Sequence, residues 1–349
     1  VSDLDPLSPE EGVRLYLDAK KDDLAAETLK SQEYRLNAFV QWCNEEGIEN
    51  LNELSGRDVY AYRVWRREGQ GEGRESVAPI TLRGQLATAR AFLRFCGDIE
   101  AVPPDLYDRV PLPTLSNGEE VSDSTLDPDH VAAILDYLSQ FKYATRDHLI
   151  VLLGWHTGAR LGGLRGLDLG DVDLDGDHPR VSGPAVHFVH RPETGTPLKN
   201  KDKSTRWNRI SEYVAEVIRD YLKETRDDVT DEYGREPLFT TRNGRPVPST
   251  IRESLYRVTR PCWRNEPCPH DRDIEDCEAT NIQKATRCPS SRSPHDLRSG
   301  RVTFYRRQNV PRRIVEDRLN ASENILDKHY DRRSEPEKAE QRSEYLPDF

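Results

Sequence analysis

Apolar residues recur every three to four positions through the first hundred residues, the period of helices with one buried face. After Ala25 the positions Leu29, Leu36, Phe39, Val40 and Cys43 keep this spacing, and Gly47 closes the run. A second helix is predicted over residues 56–67 and a third over 81–95, where Leu82, Leu86, Ala89, Phe92 and Leu93 form one stripe. The Gly-rich residues 68–73 between them read as a loop. From Val102 to Asp127 the pattern breaks into Pro103, Pro104, Pro111, Pro113 and Ser116-Asn117-Gly118, the composition of an interdomain linker. Periodicity resumes at Asp127, suited to cap free helical amides, with Pro128 in the first turn and Val131, Ile134, Leu135 and Leu138 as the buried stripe. The run from Leu149 through Leu153 to Trp155 is apolar on nearly every side, which predicts a central helix ended by the Gly turn Thr157-Gly158-Ala159-Arg160. Strands are predicted at 180–181, 185–189 and 207–210, with a Lys-rich hairpin tip before the last and a turn at Asn243-Gly244. Helices follow at 249–260, 302–307 and 312–319, and one from Ser322 carries Tyr330.

This pattern describes a mainly α chain with a small β-sheet, and 349 residues are enough for two cores. We expect a helical domain at 1–110, a linker at 111–126, a second domain at 127–335 with a Cys-rich insertion at 262–288, and a charged tail at 336–349. No apolar run approaches the ~20 residues of a membrane span, and no signal-like segment opens the chain, so a soluble cytoplasmic protein is expected.

The net charge of −11 argues at first against a nucleic-acid partner. Its distribution reverses that reading, since residues 291–333 hold eleven Lys or Arg against six Asp or Glu. Arg63, Arg66 and Arg67 on the second predicted helix, and Arg83, Arg90 and Arg94 on the third, make two further basic faces. DNA phosphates would fit them, a merely solvated face being the alternative. Only 11 of the 51 basic residues are Lys, and Asp runs such as Asp168 to Asp177 recur. Such a composition suits a salt-loaded cytoplasm, in which DNA contacts other than phosphate neutralisation must carry more of the affinity.

The six cysteines fall unevenly. Cys43 and Cys96 lie in helical apolar patterns, whereas Cys262, Cys268, Cys277 and Cys288 cluster around His270. A tetrahedral structural zinc on the four thiols, with His270 as an alternative ligand, and free thiols in a loop are both open readings.

The chemistry centres on Ser293-Pro294-His295-Asp296-Leu297-Arg298-Ser299-Gly300. Alone it carries little, because nine His and forty Arg in this chain predict about one chance His-x-x-Arg, and a second occurs at His329 and Arg332. Cutting a phosphodiester without a metal needs a nucleophile, positive donors on the non-bridging oxygens and an acid for the leaving oxygen. Tyr330, the pair Arg160 and Arg298, and a lysine of the hairpin supply these. Arginine suits the clamp because its planar fork never deprotonates, while lysine can give up a proton. Lys199 and Lys201 compete with Lys203 for the acid role; Lys203 is favoured by standing seven residues before Ile210.

The order Thr157-Gly158-Ala159-Arg160, Lys203 with Arg209-Ile210, Pro294-His295-Asp296-Leu297-Arg298 and Tyr330 resembles the tyrosine recombinases of the phage integrase and Xer family, along essentially the whole chain. With the composition, the resemblance suggests a halophilic archaeon or its mobile element as the source. It implies a helical SAM-like core-binding domain followed by an α+β catalytic domain. It further implies that Tyr330 attacks the scissile phosphate to form a 3′-phosphotyrosyl link, and that Arg160 and Arg298 stabilise the developing charge. Lys203 would then protonate the leaving 5′-oxygen and His295 exchange the tyrosine proton. No catalytic cofactor is implied; the partner is double-stranded DNA, clasped by a homotetramer, with a monomer as an open reading in its absence. The tail would dock on a neighbour through Leu346 and Phe349. Two positions depart from the family: Gly163 replaces an acidic residue, and Ala321 replaces a His or Trp that lends the phosphate a hydrogen bond. Asn320 or His329 could substitute. Ala321 also leaves open a DNA-binding protein of this ancestry that does not cut, and a type IB topoisomerase is a remoter relative of the same chemistry.

Overall fold

Helical stripes and their caps account for most of the architecture. The structure, a computed structural model, describes residues 6–69, 76–116 and 124–322 together with residues 326, 336, 339 and 343. The chain divides into two units, Val1–Ser122 and Asp123–Phe349.

In the first unit, helices α1 (Pro9–Ala19), α2 (Ala26–Glu46), α3 (Gly56–Glu68) and α4 (Pro79–Asp98) surround an aromatic core. Phe39 sits at its centre, edge-on to Tyr62 at 5.2 Å and to Phe92 at 5.7 Å, geometry in which positive ring edges meet negative faces. Cys43 and Cys96 are buried here, and burial pushes both thiols up to about 12, so they act as small hydrophobes. Gly47 ends α2 in the left-handed region, and Ser55 with Asp58 forms a capping box on α3, as their local sequences dictate. The segment expected as linker is packed at both ends. Val110 and Leu112 join the first core, while Leu126 is buried in the second and donates its N–H to the Asp296 carbonyl at 3.1 Å.

The second unit is built on α6 (Arg146–Thr157), whose Leu149 to Leu153 are all buried among α5 (Pro128–Phe141) and later helices. After α7 (Leu161–Gly166) comes a three-stranded antiparallel sheet in the order β1 (Val172–Asp173), β2 (Ala185–Phe188), β3 (Arg206–Arg209). Its register pairs Val172 with Val186 and Val186 with Asn208. Helices α8 (Glu212–Glu224), α9 (Pro248–Val258), α10 (Pro294–Arg307) and α11 (Arg312–Leu319) follow, and short 3-10 turns join several of these elements.

Three expectations need correction. Residues 180–181 are not a strand: the Asp173 carboxylate accepts the N–H groups of Gly176, Asp177 and His178, which curls the chain into a turn, and the third strand is β1 instead. Helix α10 begins at Pro294 rather than 302, so the His295-x-x-Arg298 motif is itself helical, started by Ser293 as N-cap and Asp296 as its capping-box partner. The acidic run from Asp168 is in part internal. Asp171 is 4% exposed and takes two bonds from Arg191, while Asp168 accepts from Arg235 and Arg245. Tyr330, His329, Leu346 and Phe349 lie outside the described residues; of the helix expected from Ser322 onward, Ser322 and Leu326 are described, and the Leu326 N–H donates to the Ser322 carbonyl at 2.9 Å. No helix among the described residues is long and apolar enough to cross a membrane.

Candidate active site

The site forms where the ends of α6, α7, α10 and α11 meet the hairpin turn before β3. Gly158 ends α6 at φ 62°, and the turn it makes sets Arg160 as the residue preceding α7. Arg160 Nη1 donates to the Asn320 carbonyl at 2.9 Å. From α10, Arg298 is 1% exposed and donates through Nη1 to Gly158 O at 2.6 Å and through Nη2 to Leu319 O at 2.8 Å. The two arginines, 138 residues apart, are thus brought to adjacent carbonyls. The acceptors cap α6 and α11 at their C-termini, where orphan carbonyls and the negative end of the helix dipole favour guanidinium groups.

Lys203 is exposed on the 3-10 turn Lys201–Ser204. Its own carbonyl accepts from Asn320 Nδ2 at 2.6 Å, which ties the turn to the arginine pair. Lys199 and Lys201 are exposed on the same hairpin, and Lys201 adopts a left-handed φ of 54°. His295 is exposed on the first turn of α10, one turn ahead of Arg298.

Two arginines absent from the sequence reading join this cluster. Arg206, at the start of β3, donates to Arg318 O at 3.0 Å and Ser204 O at 2.9 Å, and its guanidinium lies 4.6 Å from the centre of the Phe188 ring. Burial, and then the positive charges of Arg298, Arg160 and Arg318, lower its pKa to about 10, so it stays charged at neutral pH. Arg318 donates to the carbonyls of His156 and Arg209. The hydrogen bonds that Arg160, Arg206 and Arg318 donate among the described residues go to backbone carbonyls. Four guanidinium groups held by carbonyl oxygens make a strongly positive pocket, which an oxyanion would neutralise. No local signal marks Arg206 or Arg318 among forty arginines; only the fold selects them.

Both departures from the family pattern have a physical account. A Cβ on Gly163 would meet the Phe188 ring at 3.3 Å, so the ring that supports Arg206 occupies the space beside the missing carboxylate. Ala321 is 6% exposed and packs with Val302, Tyr305, Val315, Leu319 and Leu326, turned into a small core between α10 and α11. The polar group delivered to the site is Asn320, at φ 50° and ψ 62° in the left-handed cap of α11. A Leu-Asn step after a helical run is a legible cap signal. The sequence offered Asn320 as a substitute donor at the site, but its grip on the lysine hairpin was not legible.

Of the six basic positions expected on the first unit, Arg66 is bonded to Gln85 at 2.6 Å, Arg67 pairs with Glu68, and Arg90 pairs with Asp108. Arg94 is exposed and sits 5.5 Å from the Tyr107 ring centre. Arg63 and Arg83 are half-buried on α3 and α4.

In the insertion, Cys262, Cys268 and Cys277 are half-buried, Cys288 is buried, and all four are free thiols. Their segments are joined by His270 Nε2 to Ser290 Oγ at 2.8 Å, by Arg272 to Arg287 O at 3.2 Å, and by Arg260 to Ala279 O. Burial raises the Cys262 pKa, and Cys288, Cys268 and Cys277 push it the same way against the opposing charge of Arg260. Among the described residues, no three His, Cys, Asp or Glu are gathered as a metal-ion set.

A helical unit followed by a unit with a small sheet and a pocket of arginines at helix ends defines the class of the fold. Residues 124–335 match the model of the phage integrase family, and the chain belongs to that family. The tyrosine recombinase XerD of Bifidobacterium longum is 23% identical over 246 residues, 68% of this chain and 70% of that protein. XerC of Pseudomonas entomophila is 27% identical over 161 residues, 46% of this chain and 51% of its own length. Among solved structures, the integrase of transposon Tn1549 in complex with circular intermediate DNA superimposes with a TM-score of 0.65 at 12% identity, covering 97% of this chain and 100% of that one. The lambda integrase dimer bound to a COC′ core site gives 0.59 at 14% identity, covering 95% and 79%. These likenesses establish the fold.

Proposed function

We propose that the protein is a site-specific DNA recombinase that cuts and rejoins duplex DNA through a 3′-phosphotyrosyl intermediate on Tyr330. The observation that carries this reading is the convergence of Arg160 and Arg298 on the adjacent carbonyls of Asn320 and Leu319, with the Lys203 turn bonded to the same Asn320. A guanidinium has five N–H donors, and Arg160 uses one of them among the described residues, so it can hold a non-bridging phosphate oxygen without releasing its carbonyl. In the cutting step the Tyr330 oxygen bonds to phosphorus, the bond to the 5′-oxygen breaks, and Lys203 supplies the proton that leaves with the 5′-hydroxyl. His295 takes the tyrosine proton, and the arginines balance charge on the phosphorane-like oxygens. Religation reverses each transfer. The DNA partner is supported by relatives solved on DNA, and a tetramer on two duplexes is the assembly such exchange requires.

A suicide duplex nicked near the site tests this reading. A covalent protein–DNA adduct is expected for the wild type and none for Tyr330→Phe. Specific binding with no adduct from either would instead establish a recombinase-derived binding protein, the reading that the buried Ala321 favours.

For the Cys-rich insertion we propose a structural zinc on Cys262, Cys268, Cys277 and Cys288, with His270 as an alternative ligand. Support comes from the hydrogen bonds that join the cysteine segments in pairs: His270 to Ser290, Arg272 to Arg287 and Arg260 to Ala279. The thiols must draw together to close on the ion, since they are not gathered as a metal set here. One zinc per chain and a lowered unfolding temperature after chelation are expected; purified protein with no stoichiometric zinc overturns the assignment.

A further inference from the structure

Asn320 uses its backbone carbonyl and both polar atoms of its side chain at the site, while its N–H closes α11 on the Asp317 carbonyl at 3.3 Å. Its backbone carbonyl accepts from Arg160 at 2.9 Å. Its side-chain Nδ2 donates to the Lys203 carbonyl at 2.6 Å, and its Oδ1 accepts from Asn200 Nδ2 at 2.6 Å and from Ser204 Oγ at 3.2 Å. Asn200 is the residue before the Lys201–Ser204 turn, so one amide grips both ends of the turn that carries the lysine. The left-handed cap of α11 aims the amide there, and asparagine tolerates that backbone better than other side-chain-bearing residues.

The lysine needs such help. Its side chain is exposed, on a flexible four-carbon stem with many rotamers open to it. The fold can limit that freedom only by fixing the backbone from which the stem springs. Arg206 adds a second tie, bonding Ser204 O and Arg318 O, but it acts at the far end of the turn.

We propose that Asn320 is a positioning residue that sets the Lys203 ammonium for proton donation and couples it to the Arg160 clamp, a role performed through the hairpin turn rather than on the phosphate. This rests on the reading of Lys203 as the general acid. It predicts a specific defect: loss of the amide should impair leaving-group protonation more than phosphate binding or attack.

The experiment uses the full chain and two versions of one suicide duplex, one with the natural 5′-oxygen leaving group and one with sulfur in its place, which departs as a thiolate without a proton. Asn320→Gly keeps the left-handed cap and the carbonyl bonded to Arg160 but deletes the amide. We expect single-turnover adduct formation to fall about 10–100-fold on the oxygen substrate and by less than about threefold on the sulfur substrate. Asn200→Ala, a surface change that removes one of the amide's partners, should show the same selectivity at smaller amplitude. Lys203→Ala is the control and should lose about 10²–10⁴-fold on oxygen only. An Asn320→Gly defect of equal size on both substrates, or no defect, overturns the positioning role and leaves the recombinase reading intact. A Lys203→Ala defect that sulfur does not rescue removes Lys203 as the acid, and the positioning role with it.

Discussion

Replacing Gly158 by alanine tests how tightly the arginine-holding carbonyls are set. Gly158 ends α6 at φ 62°, and a Cβ there would stand 2.1 Å from Leu319 Cδ2 and 3.5 Å from Arg301 Cγ. Two costs combine. The left-handed backbone disfavours an L-residue by about 1–2 kcal/mol, and forcing a methyl against the buried Leu319 costs about 1–3 kcal/mol. The variant should therefore lose about 2–5 kcal/mol and melt roughly 5–20 °C lower. Truncating Leu319 relieves only the second cost, so in a Leu319→Ala background the same substitution should cost about 1–2 kcal/mol. Urea unfolding of the wild type, both single variants and the double variant measures the coupling, expected at about 1–3 kcal/mol. Additivity within about 0.5 kcal/mol would refute the contact. Because Gly158 and Leu319 also provide the two carbonyls bonded to Arg298, adduct formation by Gly158→Ala should slow as well.

Stability should fall as pH drops from about 6.5 to 4. Burial lowers the His148 pKa to about 4, and burial with Arg318 and Arg301 does the same for His156, so the unfolded chain takes up protons in this window and the folded one does not. His148 Nδ1 accepts the Ala144 N–H at 3.2 Å; His148→Gln keeps an acceptor without a titrating ring and should flatten the pH profile of the unfolding midpoint. An unchanged profile would count against this. Arg298→Lys keeps the charge but offers one nitrogen to two carbonyls, and adduct formation should drop about 100-fold or more in a single-turnover assay. Arg94→Ala should weaken binding of duplex DNA uniformly across sequences and reduce the slope of log affinity against log salt by about one. Arg66→Ala, whose guanidinium is held by Gln85, should change that slope less.

What the sequence alone determined is local. Helical stripes, the Asp127-Pro128 start, the Gly158 turn and the Ser293 capping box each depend on residues within a turn or two, and the ordered Arg160, Lys203, His295, Arg298 set reads in the sequence as a candidate for chemistry that needs those groups. The start of α10 was still misjudged, because Ser293-Pro294-x-Asp296 was read for catalysis and not as a cap. The short β1 escaped notice because two residues have no period, and its strand character comes from pairing with β2. Only the tertiary structure decided that Arg206 and Arg318 share a pocket with Arg160 and Arg298, and that Ala321 faces a core while Asn320 turns to the lysine hairpin. The bonds from Arg206 to the Arg318 carbonyl and from Asn320 to the Lys203 carbonyl join residues more than 100 positions apart. They follow from how α10, α11 and β3 stack their buried faces, a property no local pattern contains.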